Sequence, residues 1–458
     1  MKELAGVVAG TRSSKRGLYS TWFLLLLTLI YASSFVDRIF LSVVGQAVKL
    51  EMNLSDAELG VLGGLAFSVF YSALGIPMAR LAERYSRVML ISLSIAAWSA
   101  MTALCGTAGG FWHLLVYRLG VGIGEAGSTP TAHSLIADQF PEGRRATALA
   151  LYALGPPIGV LAGAIGGGWA AQHFGWRHAF FAVGLPGIAL AVLAWLTLRE
   201  PRHAQVDAAP PTAVPPLRSV VHLLMSSRTF VQMLLGTVIG AFAQYGINLF
   251  LPVYLARVYG MGLAQAGMVF GLIVGVGGIA GNALGGYLSD ALGARDKRWY
   301  AWVPAIGTLL GFPLAAMAFT LSDWRLAVPL LLGCTIMLNV WNGPTFSIVQ
   351  GLVTPRMRAT ASAFVFLLMN LVGQGLGPTT VGLLSDRFAA SLVKGGGYQA
   401  TCHASAAGAQ GHAAAGAVSQ ACTQAAASGL RYALLLMSVV LVWSAWHYFS
   451  AARHIDRR

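Results

Sequence analysis

The sequence predicts an all-α membrane protein in which twelve transmembrane helices form two pseudo-symmetric six-helix bundles. Three observations support this prediction: 56% of the 458 residues are apolar while 10% are charged, apolar stretches of spanning length recur along the chain, and the second half repeats the first. A soluble domain of this length would not have such a composition. We therefore expect a chain that lies within a bilayer along most of its length.

Twelve apolar segments each reach about the 20 residues that a bilayer crossing requires. They are 20–48, 57–82, 88–108, 111–137, 145–172, 177–198, 229–257, 264–290, 299–320, 326–353, 359–386 and 429–450. The first segment follows basic residues, but it is too long for the core of a signal peptide and lacks a small-residue cleavage site. We expect it to be a retained spanning helix.

The net charge of +14 does not indicate nucleic-acid binding, because the basic residues are concentrated in alternate loops. Their clusters are 2–16, 80–87, 144–145, 199–228, 295–298, 356–358 and 453–458, whereas the opposite loops hold scattered ones. This asymmetry is the positive-inside pattern, which predicts that both termini are cytoplasmic. We expect a multi-pass, monomeric protein of the inner (plasma) membrane of a bacterium, with the bilayer as its partner and no nucleic acid.

The second half of the chain repeats the first in parallel register. Glu83 and Asp290 occupy related motifs 207 residues apart, and the sequence Arg-Ala-Thr-Ala at Arg145 returns 213 residues later at Arg358. Segments 2, 8 and 11 also end in related patterns. Equivalent positions in consecutive three-helix units lie on opposite membrane faces, so this finer echo indicates inverted repeats within each half.

The repeat sets the predicted domain boundaries. We expect an amino-terminal bundle over 1–198, a cytoplasmic linker over 199–228 and a carboxyl-terminal bundle over 229–458, with an outer loop at 387–428. Cys402 and Cys422 share this loop, where an oxidising compartment would allow a disulfide between them; the alternative is that the two cysteines are not bonded. No cluster of cysteine and histidine has the spacing of a metal site.

Four charged residues fall inside predicted spans of the first half: Asp37 and Arg38 in segment 1, and Arg118 and Glu125 in segment 4. Charges in the hydrocarbon region are retained mainly where they line a polar cavity or meet a partner. Arg118 and Glu125 share a helical face but lie about 10 Å apart along the axis at 1.5 Å per residue. We therefore expect Asp37 to pair with Arg118 or Arg38, and Glu125 to be less compensated.

The opposite wall of the predicted cavity is neutral. Pro130-Thr131 returns 214 residues later as Pro344-Thr345, and this offset places Asn339 at the position of Glu125, so the second half has no counterpart of that charge. Its cavity candidates are Gln244, Tyr245, Asn248, Asn339, Trp341, Asn342, Asn370 and Gln374. A cavity with one charged and one mostly apolar wall suits an amphiphile better than a sugar, although each amide could instead be an interhelical hydrogen-bond partner.

Twelve spans, paired six-helix halves and a basic linker together resemble the major facilitator superfamily. Residues 286–295 are similar to the cytoplasmic loop signature of that family, and 79–88 form a degraded copy in which Glu83 replaces aspartate. Residues 118–124 and 154–159 are similar to its fourth-helix and fifth-helix motifs. The resemblance covers the whole chain and implies alternating access between two bundles.

Within the superfamily, Asp37-Arg38 on helix 1 with Arg118 and Glu125 on helix 4 resembles the spinster-type lipid transporters. The resemblance implies proton-coupled movement of lysophospholipids or sphingolipid phosphates. Asp37 and Glu125 would carry the coupling protons, and Arg38 and Arg118 would be charge partners or head-group ligands. The alternative for these four residues is a static salt-bridge cluster that fixes helix 1 against helix 4.

The resemblance also implies gates at the cytoplasmic face. The expected gate residues are Glu83, Arg84, Arg87, Arg145, Asp290, Arg295 and Arg358. Their acids would pair with arginines of the neighbouring loop, or cap a helix N-terminus, when the inner side is shut. The alternative is a solvated basic rim without a gating role.

The sequence is therefore interpreted as a proton-coupled secondary transporter of lipid-like amphiphiles that needs no cofactor other than protons. The nearest alternative is a proton-coupled carrier of small organic anions. A membrane-embedded lipid-modifying enzyme is disfavoured, because no Cys/His pair, metal cluster or Ser/His/Asp set gathers at one depth. An energy-independent scramblase would differ in its response to a pH gradient.

Overall fold

The structure is a computed structural model that describes residues 2–200, 217–354, 357–393, 402 and 413–455. Every regular element within these ranges is a helix. We call the end of the bundle where the first span begins and the last span ends the terminal face, and the other end the distal face. The all-helical prediction is confirmed.

Six spans make up the first half. Span 1 is Lys2–Met52, span 2 joins Asp56–Gly63 to Leu65–Arg84, span 3 is Arg87–Cys105, span 4 joins Phe111–Glu125 to Ser128–Gln139, and Glu142–Tyr152 with Gly155–Thr197 forms spans 5 and 6. Spans 5 and 6 are separated at Gly175, whose φ of 81° and ψ of 154° are accessible to glycine because it has no Cβ.

The second half follows a short helix, Leu217–Ser226. Span 7 is Arg228–Tyr259, span 8 runs through Leu263–Gly271, Leu272–Val276 and Gly277–Gly293, span 9 is Trp299–Thr320, span 10 joins Trp324–Asn339 to Asn342–Gly351, span 11 runs through Arg358–Leu368, Met369–Leu376 and Gly377–Leu392, and span 12 is Ala413–Ala452. Leu272–Val276 and Met369–Leu376 are π-helical, a geometry common near functional sites.

By length and apolar composition, ten of the described helices are able to cross a membrane. This number and the predicted twelve spans agree once two local features are considered. Spans 5 and 6 form one helical run across Gly175. Span 4 is not among the ten, because the charges of Arg118 and Glu125 lower its mean hydropathy; it is also interrupted after Glu125, which divides it into helices of 15 and 12 residues. The twelve-span prediction is thus consistent with the structure.

The interruption in span 4 returns at the equivalent place in span 10. Ala126 and Gly127 separate the two helices of span 4, and Val340 and Trp341, each 214 residues later, separate those of span 10. A proline lies in the first turn of the helix after each break, where a missing N–H removes no helical hydrogen bond. The internal repeat is therefore visible as a repeated break, and the first break places Glu125 at a helix end.

Glycines allow span 4 to approach its neighbours closely. A Cβ on Gly122 would lie 2.5 Å from the carbonyl oxygen of Phe67 in span 2, and one on Gly124 would lie 2.7 Å from the backbone nitrogen of Trp98 in span 3. Helices in lipid associate through such close packing of small residues. These contacts fix the charged face of span 4 near the centre of the first half.

The two halves meet toward the distal face. A Cβ on Gly64 in span 2 would lie 2.6 Å from the carbonyl oxygen of Gly375 in span 11, and one on Gly168 in span 5 would lie 2.7 Å from that of Leu263 in span 8. Because these contacts leave no room for side chains between the two halves, they close the distal side. Side chains that could close the terminal side are described with the site below.

Two sequence expectations about connections require correction. The predicted outer loop 387–428 is too long, because span 11 continues to Leu392 and span 12 already begins at Ala413. Within the linker predicted at 199–228, the helix Leu217–Ser226 buries Val220 and Leu224 in an apolar cluster with spans 7 and 11.

Cys402 and Cys422 form a disulfide, with 5.6 Å between their Cα atoms.

Candidate functional site

An ion pair between spans 1 and 4 lies at the centre of the first half. Nε of Arg38 donates a hydrogen bond to Oε2 of Glu125 at 2.7 Å, and the side chains are 13% and 0% exposed, respectively. An isolated charge at this depth would be strongly unfavourable, so each group depends on the other. The four charged residues predicted from the sequence thus do lie together, but their pairing differs from the prediction.

Side-chain direction explains why Arg38 reaches Glu125. Side chains on an α-helix lean toward its N-terminus. Span 1 begins at the terminal face, so Arg38 leans toward that face, where Glu125 lies because span 4 runs in the opposite direction. Arg118 leans the other way and donates to the carbonyl oxygens of Leu62 at 3.3 Å and Asp37 at 3.5 Å. The expectation that Glu125 is the less compensated acid is therefore wrong.

Asp37 is the acid of the site that forms no salt bridge with the described residues. It is 1% exposed, and within the described part of the chain neither of its carboxylate oxygens has a hydrogen-bond partner. Consecutive residues on an α-helix point about 100° apart, so the side chain of Asp37 leaves span 1 in a different direction from that of Arg38. Arg118 and Glu125 are nevertheless close enough to act on it electrostatically. The predicted salt bridge from Asp37 to Arg38 or Arg118 is not formed.

Three aromatic rings surround the guanidinium of Arg38. Its Cζ lies 4.9 Å from the ring centroid of Phe35, 4.8 Å from that of Phe67 and 4.6 Å from that of Tyr71. Stacked on aromatic faces in this way, a cation is stabilised by the ring quadrupoles. We call Phe35, Phe67 and Tyr71 the aromatic cage. Tyr245 of span 7, a second-half candidate, lies within electrostatic range of Arg38.

The other cavity candidates of the second half are neutral side chains, and hydrogen bonds are seen for two of them. Nδ2 of Asn339 donates to the carbonyl oxygen of Thr335, and Nδ2 of Asn370 to that of Phe366, each one turn earlier in the same helix. Gln374 is 8% exposed, and among the described residues its Oε1 has no hydrogen-bond partner. The half-buried candidates are Gln244, Asn248, Trp341 and Asn342. The bonds of Asn339 and Asn370 are thus within helices rather than between them.

On the terminal face, the contacts of the expected gate residues stay within each half. Arg87 is fully buried, and its guanidinium binds Glu200 at 2.6 and 2.9 Å, Asp138 at 2.6 Å and Oγ of Ser134 at 2.8 Å. Ser134 and Asp138 belong to span 4, and Glu200 follows span 6 at the start of the predicted linker. Arg87 therefore faces span 4 and the segment directly after span 6, rather than an acid or arginine of the second half.

Hydrogen bonds are seen for two of the remaining expected gate residues, Asp290 and Arg358. Oδ1 of Asp290 accepts a hydrogen bond from Tyr300 at 2.9 Å, and Nε of Arg358 donates to the carbonyl oxygen of Gln350 at 3.2 Å, both within the second half. Arg84 and Arg295 are exposed, Arg145 is half-buried, and the side chain of Glu83 lies outside the described residues. Their role as gates in a terminally closed state stays a prediction.

A distal cluster, which sequence reasoning missed, joins the two halves. Asp56 at the start of span 2 binds Arg257 at the end of span 7 through two hydrogen bonds, of 2.7 and 2.5 Å. Asp56 also accepts from Lys49 at 2.6 Å and from Ser385 of span 11 at 2.6 Å. In the described part of the chain, this is the salt bridge that crosses between the halves.

The neighbouring Asp386 strengthens the same junction. Its carboxylate accepts hydrogen bonds from the backbone N–H groups of Asp56 at 3.1 Å and Ala57 at 2.8 Å. A carboxylate at a helix N-terminus satisfies otherwise unpaired donors and interacts favourably with the helix dipole. Asp386 was already visible in the third copy of the loop pattern, which the inverted repeat assigns to the face opposite Asp290. That signal, followed further, would have predicted this distal gate.

Two helical bundles that are closed on one face and hold a buried ion pair near the centre have the architecture of a membrane transporter. Comparison with known proteins agrees: residues 26–378 match the family model of the Major Facilitator Superfamily. The chain belongs to the Major Facilitator Superfamily and is a multi-pass membrane transporter, not an enzyme.

Individual relatives refine this assignment. The crystal structure of a bacterial homologue of the human lysosomal transporter Spinster, in an inward-facing and unoccupied conformation, matches at a TM-score of 0.86 and 34% identity, covering 96% of this chain and 98% of that one. An MFS-type efflux pump of Mycolicibacterium smegmatis is 35% identical over 79% of this chain and 83% of its own. The probable galactarate/D-glucarate transporter GudP of Bacillus subtilis is 30% identical over 71% and 77%, respectively. The predicted resemblance to the spinster-type transporters is confirmed.

Proposed function

We propose that this protein is a proton-coupled secondary transporter that moves lipid-like amphiphiles, such as a lysophospholipid or a sphingolipid phosphate, by alternating access. The observation that carries the proposal is the buried pair Arg38–Glu125, at 2.7 Å, beside Asp37, a buried acid that forms no salt bridge with the described residues. A static cluster would be expected to pair both acids, because an uncompensated buried charge is destabilising. An arrangement that leaves one acid unpaired suits a group that binds and releases a proton.

The geometry gives a physical route from substrate binding to proton movement. Arg38 is the better head-group ligand, since it is 13% exposed while Arg118 is 2% exposed and bonded to backbone carbonyls. A phosphate oxygen that binds the planar guanidinium of Arg38 competes with Glu125 for the same donors. Glu125 then loses its partner, and taking up a proton removes its uncompensated charge. Substrate binding and protonation of Glu125 are in this way linked.

Residues around the pair favour an amphiphile. The aromatic cage presents apolar ring faces next to the charge, and the candidates of the second half carry no charge. Such a wall accommodates an acyl or sphingoid chain while Arg38 holds an anionic head group. The similarity to a homologue of the lysosomal transporter Spinster supports the same choice.

The second candidate function is proton-coupled transport of small organic anions. The 30% identity to a probable galactarate/D-glucarate transporter favours it, because a dicarboxylate would use the same guanidinium. The two candidates differ in what the neutral wall must hold: a hydrocarbon chain in the first, a second carboxylate or hydroxyl groups in the second. The absence of charge among the second-half candidates supports the amphiphile.

We place the terminal face in the cytoplasm and the distal face outside, in the inner membrane of a bacterium, on the basis of the basic residues in the terminal loops. In this orientation the structure is shut toward the outside by the Asp56–Arg257 bridge. The protein works as a monomer, because each chain holds both bundles and the central pair.

The test is uptake into reconstituted vesicles, with and without an inward proton gradient, of labelled lysophosphatidylcholine, sphingosine phosphate and D-glucarate. Gradient-stimulated uptake of either lipid supports the proposal. Gradient-stimulated uptake of D-glucarate alone would replace it with the organic-anion carrier. Lipid movement that is equal with and without the gradient would indicate an energy-independent scramblase, and would contradict proton coupling.

A further inference from the structure

A cavity of about 250 Å³ opens on the distal face, between the end of span 7 and the distal part of span 12. It is separate from the central ion pair. The lining residues are Arg257, Val258, Thr423, Gln424, Ala427, Ser428 and Arg431. Two guanidinium groups and no carboxylate thus line one small space, which gives it the chemistry of an anion site.

The wall on span 12 is built by one helical face. Gln424, Ser428 and Arg431 follow at spacings of four and three residues, which places them on the same side of the helix. Nε of Arg431 is buried and has no hydrogen-bond partner within the described part of the chain. Because buried polar groups are nearly always paired, an unpaired guanidinium nitrogen beside the cavity indicates an acceptor that the described residues do not supply.

We propose that this cavity binds a single tetrahedral or carboxylate anion between Arg257 and Arg431. A phosphate is the expected form, since its oxygens match the planar donor fork of arginine and leave acceptors for the amide of Gln424 and the hydroxyl of Ser428. The anion is either a free phosphate or the head group of a lipid in the adjacent leaflet. The site is distinct from the proposed transport site and does not depend on it.

Arg257 belongs both to the cavity and to the salt bridge between the two halves, so an anion bound in the cavity acts on that bridge. The same guanidinium that lines the cavity also binds Asp56 across the halves, at 2.7 and 2.5 Å. An anion in the cavity attracts Arg257 and competes with Asp56 for its charge. Anion binding at this site therefore weakens the bridge that shuts the distal face, and favours its opening.

Binding is tested by calorimetric titration of the full-length protein in detergent with sodium phosphate, at an ionic strength held constant with sodium chloride. The variant is Arg431→Gln, and the matched control is Arg325→Gln, which removes an arginine on the same face that lies outside the cavity. We expect saturable phosphate binding by the wild type and the control, weakened at least tenfold in Arg431→Gln. Equal affinity in all three proteins, or no saturable binding by the wild type, would overturn the proposal.

Two further measurements make the test specific. Arg431→Lys keeps the charge but not the fork, so it should bind phosphate with intermediate affinity, which also shows that the position tolerates substitution. Nanodiscs with phosphatidylglycerol are then compared with nanodiscs of phosphatidylcholine alone. Loss of phosphate binding in the anionic nanodiscs identifies the lipid head group as the occupant, and unchanged binding identifies the free anion.

The link to the distal gate is measured by the distance between spin labels at Asn53 and Ser391, exposed positions in the first and second halves. Introduced cysteines are labelled selectively there, because Cys105 and Cys334 are buried and Cys402 is bonded to Cys422. Saturating phosphate should increase the population of long distances in the wild type and not in Arg431→Gln. An unchanged distribution in the wild type would contradict the competition for Arg257.

Discussion

Arg38 and Glu125, 87 positions apart in the sequence, form a buried hydrogen-bonded ion pair, whereas Asp37, the immediate neighbour of Arg38, forms no salt bridge with the described residues. The two acids of the site therefore differ in environment although both are buried. One is held by a guanidinium within the aromatic cage, and the other lies beside a backbone-bonded arginine. We expect substitutions at the two acids to have different effects on stability.

Removing one partner of the central pair should be strongly destabilising. Arg38→Met leaves the carboxylate of Glu125 buried without a partner, and we expect the free energy of unfolding in detergent to fall by about 3–5 kcal/mol. The double variant Arg38→Met with Glu125→Leu should recover most of this loss, since an apolar pair of similar volume is often as stable as the ion pair. A double variant as unstable as Arg38→Met would show that the pair is not what stabilises this region.

Asp37→Asn should abolish gradient-driven transport while leaving the stability of the protein nearly unchanged. Neither carboxylate oxygen has a hydrogen-bond partner in the described structure, so the isosteric amide should change the free energy of unfolding by less than about 1 kcal/mol. Gradient-driven uptake should nevertheless be abolished, because the amide cannot carry a proton. The control is Ser34→Ala, which removes another buried polar group one turn away and should keep uptake. Normal gradient-driven uptake by Asp37→Asn would exclude a coupling role for Asp37.

The distal bridge should set the balance between conformations. Asp56→Asn removes the charge that holds Arg257 and Lys49, and we expect a shift toward the distally open state of about 3 kcal/mol, or roughly a hundredfold in the equilibrium. Spin-label distances between Asn53 and Ser391 report this shift. The control is Glu51→Gln, because Glu51 pairs with Arg177 on the same face but within the first half, where a surface bridge contributes about 0–1 kcal/mol. Equal distances in both variants would argue against a gate at Asp56.

The charge network at Arg87 should contribute to the stability of the first half. Arg87 is fully buried against Asp138 and Glu200, so Arg87→Ala leaves buried acceptors unpaired and should lower the free energy of unfolding by about 3–5 kcal/mol. Arg84→Ala, three residues earlier and exposed, should change it by less than about 0.5 kcal/mol. Comparable thermal stability of the two variants in detergent would contradict a structural role for the network.

Much of the fold was predictable because membrane chemistry leaves strong periodic signals. The lengths of the apolar segments, the charges of the loops and the internal repeat are all visible in the amino-acid sequence, so they predict the spans and their orientation directly. Residues 413–428 were missed as helix because their alanine-rich sequence is weakly apolar, although alanine has the highest helix propensity. A search for apolar segments detects membrane depth rather than helicity.

The sequence predicts which residues form the site, but it does not predict how they pair. Asp37, Arg38, Arg118 and Glu125 stand out because charge inside a span is rare. Their pairing depends on how long side chains lean along antiparallel helices, which linear spacing does not contain. Arg257 looked like a scattered loop charge, since its partner Asp56 lies 201 positions away in the other half. The contacts between the two halves also change when a transporter changes conformation, so one sequence is compatible with more than one set of such contacts.

The central claim, that Glu125 couples protons to substrate, is tested most directly by uptake of labelled lysophosphatidylcholine into vesicles. Wild type and Glu125→Gln are compared with an imposed inward proton gradient and without one, with Ser34→Ala as the control for reconstitution. The account predicts that the gradient accelerates uptake by wild type and Ser34→Ala, and that Glu125→Gln shows no acceleration while still exchanging substrate at equilibrium. Acceleration of Glu125→Gln equal to that of wild type would contradict it.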